Sequence, residues 1–306
     1  METLIASPKE WEQNMTPRAY CRLDDGKLIG PIWPYAPTGL LPFQHIQTGP
    51  LNMSAGNLDA VVRTINPYAL IEKPTLNAGE YYPRMWRGDR KRIEAGDIVP
   101  EISQTPFFDS FMFSVEQVES LFETLDSIFR VAHPMTANLG TCGGAIRDII
   151  ILASTEVESQ WKSVLTANRF FTADGRYTTA HYVRLLPALK LDEYSICLIR
   201  YPSLPEFSPF KGWDVAAPTQ TLPWYDAYNA VKHDREGNFW RASLEAAVHS
   251  VAACVVMLAA QFGQETLSGY GLRNIFQFTK TASYDPRDFY YGPIPETKWK
   301  TVEYPF

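Results

Sequence analysis

The sequence has few cysteines, no excess of basic residues and almost no long apolar runs. Its 306 residues include 4 cysteines, and none of these lies near another cysteine or a histidine at the spacing of a structural zinc site. Cysteines this scattered also make a poor disulfide framework, so we expect reduced thiols and a cytoplasmic protein. The net charge of -6 and the pI of about 5.5 argue against a broad basic surface for duplex DNA.

Signals for a membrane are equally weak. The N-terminal residues are charged and lack the apolar core of a signal peptide. The longest apolar stretch, 246–262, contains His249 and Gln261 and is barely long enough to span a bilayer. Its Ala-rich composition is typical of a buried helix in a bundle, so we expect no membrane partner.

Several motifs of nucleotide-binding and hydrolytic proteins are missing from the sequence. The Gly-rich stretch 140–148 has neither the Lys-Ser/Thr of a P-loop nor the Gly-x-Gly-x-x-Gly pattern. No Gly-x-Ser-x-Gly and no His-Glu-x-x-His occurs. We therefore expect residues 140–148 to form the turn before a helix, and we expect neither a metal nor a cofactor.

The composition changes along the chain and suggests three segments. Residues 1–110 are rich in proline, glycine and aromatic residues, and they predict short strands and loops, with strands at 58–65 and 92–99. A basic cluster at 84–92 is either a solvated turn or a phosphate-contacting patch in which Trp86 stacks on a base. Residues 264–306 are again aromatic and Pro-rich and predict a C-terminal strap on the core.

Residues 111–263 carry the periodicity of helices, so the fold class predicted is mainly α. Ser114 fits an N-cap, with Gln117 at the capping-box position, and His133-Pro134 ends that helix. Apolar stripes at helical spacing follow in two helices: Val115, Val118, Leu121, Phe122, Leu125, Ile128 and Phe129, then Ile146, Ile150, Ala153, Val157, Trp161 and Val164.

The second half of this helical segment contains an insertion and two more helices. A short helix opened by Thr178 or Thr179 precedes a strand-bearing insertion at about 190–222. The next helix has Pro223 in its first turn and breaks near Gly237. The last helix is long and apolar and ends at Gly263, the expected C-cap.

The helix after the insertion carries the best candidate site. Asn229 and His233 are at positions i and i+4 and therefore share one face, and Lys232 and Arg235 make the end of the helix strongly charged. One interpretation is structural: His233 favours the negative end of the helix dipole, and Asn229 bonds to a neighbouring helix. The other is that the pair forms a reactive site.

The order of these elements resembles the HEPN superfamily (higher eukaryotes and prokaryotes nucleotide-binding). The resemblance covers about residues 111–263: a helix containing "TEVE", an insertion, "WYDAYNAVKHDR" and a long Ala/Val/Leu helix. It implies a HEPN-like helical bundle that forms a homodimer. Many members are metal-independent endoribonucleases or toxins in antiviral defence. Their motif is Arg, a polar residue, a few residues and His; Asn229 and His233 match it, but Tyr228 stands where the motif has Arg.

The chemistry of RNA cleavage gives each of these residues a role. A histidine such as His233 can take the proton of the 2′-hydroxyl that attacks the neighbouring phosphate, and Asn229 can position that phosphate. A cation must stabilise the added negative charge, and the candidates are Arg235, Lys232 and Arg147. Glu158 either pairs with Arg147 or orients His233. A second match to the spacing, Arg176 to His181, precedes a short helix and carries little information because such spacings are common by chance.

Two functions stay open on this basis. The first is a HEPN-like RNA-directed protein that cleaves RNA without metal, as an endoribonuclease or toxin. The second is a catalytically inert module that binds RNA or a nucleotide, or acts as a protein-interaction scaffold; Tyr228 and the acidic net charge favour it. The two differ in geometry, because an inert His233 is expected to be buried and bonded, whereas a reactive one faces a groove beside a cation.

Overall fold

The computed structural model describes residues 2–8, 19–24, 27–29, 69–77, 79–88, 100–268, 275–291 and 298–306. The chain forms two compact units. The first contains Met1–Tyr81, Arg87–Pro100 and Tyr284–Val302, and the second contains Tyr82–Trp86, Glu101–Ser283 and Glu303–Phe306. The strands predicted at 58–65 and 92–99 lie outside the described residues.

The strands among the described residues are short and form three small sheets. Their bounds are β1 Glu2–Pro8, β2 Ala19–Asp24, β3 Lys27–Ile29, β4 Ala69–Glu72, β5 Glu80–Tyr81, β6 Ser195–Leu198, β7 Phe276–Lys280 and β8 Lys300–Thr301. The first unit holds an antiparallel sheet in the order β3-β2-β1-β4, in which Leu4 lies opposite Cys21, and the parallel pair β5-β8. The second unit holds the antiparallel pair β6-β7, whose register is irregular between Ser195 and Ile196.

Helices dominate the second unit, so the chain is mainly α, as predicted. Their bounds are α1 Phe108–Val131, α2 Gly144–Ala167, α3 Thr179–Tyr182, α4 Leu185–Leu189, α5 Pro223–His233, α6 Arg235–Asn238, α7 Leu244–Phe262 and α8 Gln264–Ser268. Single 3-10 turns occur at Ile102–Gln104, Thr136–Asn138, Leu191–Glu193, Phe239–Arg241 and Pro286–Asp288. The long helices α1, α2 and α5 all pack against α7.

Helix α7 is the centre of this bundle. Among the described residues it is the one helix long and apolar enough to cross a membrane, with a mean hydropathy of 1.6 over its most apolar stretch. In the folded chain 89% of that stretch is buried. This is the burial expected of a helix at the core of a bundle.

The apolar stripes predicted for the first two long helices are confirmed, but the predicted start of α1 is wrong. Every residue of both stripes is buried. However, α1 begins at Phe108, and Ser114 lies inside the helix instead of capping it. Ser114 is buried and its side chain hydrogen-bonds to Glu156 of α2. A contact between helices therefore explains a serine that looked like a local capping signal.

The insertion is held on the bundle by aromatic rings around Trp161 of α2. The Trp213 ring of the insertion stacks on the Trp161 ring with centroids 5.0 Å apart. Trp224 and Tyr225 of α5 also contact the Trp161 ring. The indoles of Trp213 and Trp224 donate hydrogen bonds to the carbonyls of Pro218 (2.8 Å) and Pro209 (2.7 Å). The cluster therefore fixes both the insertion and the start of α5.

The start of α5 and the end of α7 follow from the residues predicted to set them, whereas α5 ends at His233 and not near Gly237 as predicted. Pro223 occupies the first turn of α5, where its missing N–H is no loss. Gly263 ends α7 with a φ of 87°, a conformation that side chains rarely adopt. The Trp86 ring fills the space beside it, since a Cβ built at Gly263 would lie 2.7 Å from Trp86 Cε2.

We expect Gly263→Ala to lower the free energy of unfolding by about 2–3 kcal/mol, because it combines an unfavourable φ with overpacking against Trp86. Gly175→Ala is the control: Gly175 also has a positive φ, 72°, but open space surrounds its Cα. We expect about 1 kcal/mol there, from the backbone alone. Urea denaturation measures both, and equal losses would show that the contact with Trp86 does not matter.

The buried position of His249 in α7 leads us to expect that acid lowers the stability of the bundle. Its ring packs edge to face against Phe207 at 5.2 Å, and burial lowers its pKa to about 4. The unfolded chain, with an ordinary histidine pKa near 6.5, binds more protons than the folded chain between pH 6.5 and 4. Stability therefore falls as the pH falls through this window, by up to about 3 kcal/mol.

We expect His249→Phe to remove this part of the acid-induced loss while retaining an aromatic ring against Phe207. Denaturation curves from pH 8 to pH 4 give the difference in unfolding free energy between variant and wild type. That difference should move in favour of the variant below pH 6.5 and stay constant above pH 7. A constant difference over the whole range would show that His249 is not the cause.

Candidate functional site

Helix α5 presents two different faces, and these place the predicted site residues. Trp224, Tyr225, Ala227, Tyr228 and Val231 are buried, because they point at α2, α7 and the insertion. Asn229 is half-buried, and Lys232 and His233 are exposed at the last turn. The helix ends at His233, and Asp234 follows as its C-cap.

His233 is exposed and makes no hydrogen bond or ion pair within the described part of the chain. Asn229 does not reach a neighbouring helix, because its Nδ2 donates to the carbonyl of Tyr225 in its own helix at 3.1 Å. The structure therefore brings Asn229 and His233 to the same end of α5 without bonding one to the other. The imidazole is free to contact a ligand.

Tyr228 has a structural place that an arginine would not take. Its side chain is 1% exposed, and its hydroxyl oxygen accepts a hydrogen bond of 2.7 Å from Lys232 Nζ. Lys232 Nζ also lies 4.8 Å from the centroid of the Tyr228 ring. The hydrogen bond to Tyr228 raises the pKa of Lys232 above its ordinary value. Tyr228 therefore holds the lysine ammonium, in its charged form, at the surface one residue from His233.

Glu158 contacts neither Arg147 nor His233. Its carboxylate accepts a hydrogen bond from the Tyr225 hydroxyl. Burial and this bond raise the pKa of Tyr225, and burial, followed by the charge of Glu158, raises the pKa of Tyr182 to about 12. Both phenols stay neutral at physiological pH. Glu158 thus fixes α5 on α2 and belongs to the support of the site.

Arg147 is already paired with a carboxylate. It lies at the N-terminal end of α2, about 16 Å along the helix axis from Glu158. Its guanidinium pairs with the adjacent Asp148, with Nε 3.0 Å from the carboxylate. Because its side chain is only 22% exposed and already paired, Arg147 is a weaker candidate for the cation of the site than Lys232.

Arg235 is the first residue of the short helix α6 and lies two residues after His233. It is exposed and forms no ion pair with any other described residue. The neighbouring Asp234 is committed to capping α6, because its carboxylate accepts from Gly237 N at 3.0 Å and from Asn238 Nδ2 at 3.1 Å. Lys232, His233 and Arg235 therefore form an exposed basic group within four residues of sequence.

The turn Phe239–Arg241 belongs to the same surface, although the sequence did not single it out. Asp226 lies on the face of α5 that carries Asn229 and His233, at i, i+3 and i+7. Arg241 forms an ion pair with Asp226, which ties the turn to that face. Trp240 beside it is 71% exposed. The spacing of Asp226 was visible in the sequence, but its partner was not.

The other sequence features have structural explanations. Residues 140–143 form the turn before α2, with Gly143 as the N-cap, and residues 144–148 are already the first residues of the helix. His181 closes a capping box with Thr178, with its Nδ1 accepting from the Thr178 amide at 3.0 Å. The two alternatives for 84–92, a solvated turn or a phosphate-contacting patch, both require exposed arginines and are wrong for Arg84 and Arg87, which are buried; residues 89–92 lie outside the described residues.

Comparison with known proteins adds nothing to this geometry. No protein-family model, no curated protein and no solved structure matches the chain. In the part of the chain that the structure describes, no three His, Cys, Asp or Glu side chains are grouped at metal-binding distance. The function is therefore inferred from the surface around His233 itself.

Proposed function

We propose that the helical unit is a HEPN-like, RNA-directed module that cleaves RNA as a cytoplasmic endoribonuclease of the defence-toxin type, without metal. The observation that supports this proposal is the exposed imidazole of His233, which bonds to no other described residue, beside the exposed cations Lys232 and Arg235. A histidine that only stabilised the fold would be expected to hold a partner, as His181 does in its capping box.

The chemistry assigned to these groups is cleavage by the RNA's own 2′-hydroxyl. His233 takes the proton of this hydroxyl, and the 2′-oxygen attacks the phosphorus. The bond from phosphorus to the 5′-oxygen then breaks. The products are a 2′,3′-cyclic phosphate and a 5′-hydroxyl, which needs a proton. A homodimer would bring two copies of α5 together, so that one His233 acts as base and the other as acid.

Lys232 supplies the positive charge that the family motif assigns to arginine. Tyr228 holds its ammonium at the surface, so the exchange of Arg for Tyr moves the cation four residues along the helix. Lysine is a point charge and lacks the paired donors of a guanidinium. We therefore expect weaker stabilisation of the phosphate than an arginine gives, with Arg235 as a second cation.

The test is cleavage by purified protein in EDTA, on single-stranded and structured RNAs that each have a twin with one 2′-deoxynucleotide at the cut position. The proposal expects cyclic-phosphate ends from the RNA and no cut in the twin, because the nucleophile is missing there. Cleavage of the twin at the same bond would refute the mechanism.

The inert alternative rests on Tyr228, which stands where the motif has arginine and is buried. Binding of RNA without cleavage of any substrate would favour it. Loss of both binding and cleavage would leave neither proposal standing.

A further inference from the structure

We infer that Trp240, flanked by Arg241, is a stacking platform for an unpaired base of single-stranded RNA beside His233. This inference rests on the proposed function, because it names the kind of RNA that the same site accepts. It comes from one exposed ring in the turn Phe239–Arg241, which Arg241 ties to the face of α5 that carries His233. It also assigns a role to a residue that no motif includes.

The position of Trp240 is set by contacts on both sides of its turn. Arg241 is bound to Asp226 of α5, and Asp226 lies two turns, about 10 Å, before His233 on the same face. On the other side, Cys142 Sγ donates to the carbonyl of Trp240 at 3.0 Å. The backbone of the turn is therefore held while the indole ring faces solvent.

The exposure of Trp240 differs from that of the other tryptophans in the bundle core. The rings of Trp161, Trp213 and Trp224 are buried, whereas Trp240 is 71% exposed, and the neighbouring Phe239 is 38% exposed. A large aromatic ring left in water costs solvation free energy unless a partner covers it. The site therefore offers a partner a flat apolar surface.

The charges around the ring favour a nucleic acid as that partner. The Arg241 guanidinium carbon lies 6.0 Å from the centroid of the Trp240 ring, and Lys232 and Arg235 are exposed on the adjoining helix ends. Among the acidic neighbours, Asp226 is paired with Arg241, whereas Asp234, which caps α6, and Glu236 are both exposed. Aromatic rings next to cations bind single strands by stacking bases and holding phosphates.

A base can stack on Trp240 only if it is unpaired. In A-form duplexes the bases are stacked on one another, and their faces are not available to a side chain. We therefore assign single-stranded or looped RNA as the substrate class and expect duplex RNA to bind poorly. Stacking itself is tolerant of base identity, so sequence preference should be weak.

The experiment measures binding in a His233→Ala background, so that cleavage does not interfere. Anisotropy of a labelled single-stranded RNA should show about 5- to 150-fold weaker binding for the added Trp240→Ala, and Trp240→Phe should recover most of it. Phe171→Ala, which removes a similarly exposed aromatic ring (67%) just after the end of α2, should leave the affinity unchanged. Unlabelled duplex RNA should compete poorly.

The outcomes separate this inference from the proposed function. Trp240-dependent binding by a protein that never cleaves would support the platform and refute the nuclease. Cleavage and binding that Trp240→Ala leaves unchanged would overturn the platform alone. A Trp240→Ala protein that changes from dimer to monomer, with its RNA affinity intact, would place the ring in a subunit interface and also overturn the inference.

Discussion

Replacing His233 by alanine is expected to lower the rate of RNA cleavage by about 10²- to 10⁴-fold, the usual contribution of a general acid or base. The imidazole is exposed and unbonded within the described chain, so its removal breaks no contact of the fold. The unfolding free energy should change by less than about 0.5 kcal/mol, as for other surface substitutions. A rate loss of this size without a stability loss would separate chemistry from structure.

His133→Ala is the matched control for that variant. His133 is also exposed and also lies near the C-terminal end of a helix, α1, but its ring lies against Tyr201 and not on α5. It should cleave at the wild-type rate. If both variants cleave normally, His233 is not the catalytic group. If both fail to cleave, the loss of activity is not specific to His233 and contradicts its assigned role.

Much of the bundle could be predicted from local patterns. The stripes of α1 and α2 follow the 3.6-residue period, so one face had to be buried, and Gly263 and Pro223 are residues whose backbone preferences act at a helix end. Ser114 was misassigned because the capping pattern is short and occurs inside helices too. Its actual partner, Glu156, lies 42 residues along the chain.

The candidate site was only half visible for the same physical reason. Asn229 and His233 share a face because of helix geometry, which a sequence displays directly. The bond between Glu158 and Tyr225 and the ion pair between Asp226 and Arg241 depend on how elements pack, and no spacing rule selects such partners. The exposure of Trp240 could not be predicted because it depends on how the surrounding elements pack, which the sequence does not show directly.

Arg84 is buried, contrary to both alternatives considered for residues 84–92, and it is the first member of a row of hydrogen-bonded side chains inside the bundle. Arg84 Nε donates to Gln261 Oε1 at 2.7 Å, Gln261 Nε2 donates to Gln160 at 3.2 Å, and Gln160 Nε2 donates to Glu156 at 2.8 Å. Burial raises the pKa of Glu156 and lowers that of Arg84 to about 10, so the arginine remains charged at neutral pH. This row of side chains links the segment Tyr82–Trp86 to α2 and α7.

We expect Arg84→Met to lower the unfolding free energy by about 3–5 kcal/mol, because it leaves Gln261 without its donor and Glu156 without a compensating charge in the core. Arg169→Met is the control: Arg169 also has a positive φ, 57°, and pairs with Glu303, but it is 74% exposed. A surface pair of this kind contributes at most about 1 kcal/mol.

The decisive measurement is the double variant Arg84→Met/Glu156→Gln. Removing the charge of Glu156 costs stability in the wild type, where Arg84 compensates it, but should restore stability once Arg84 is gone. Glutamine retains an oxygen for the bond from Gln160, so the hydrogen-bonded chain survives. Denaturation of the four proteins gives the coupling energy, and strictly additive losses would show that the two charges do not interact. A positive coupling would establish that this bundle holds its N-terminal strap, Tyr82–Trp86, by a buried charge instead of apolar packing alone.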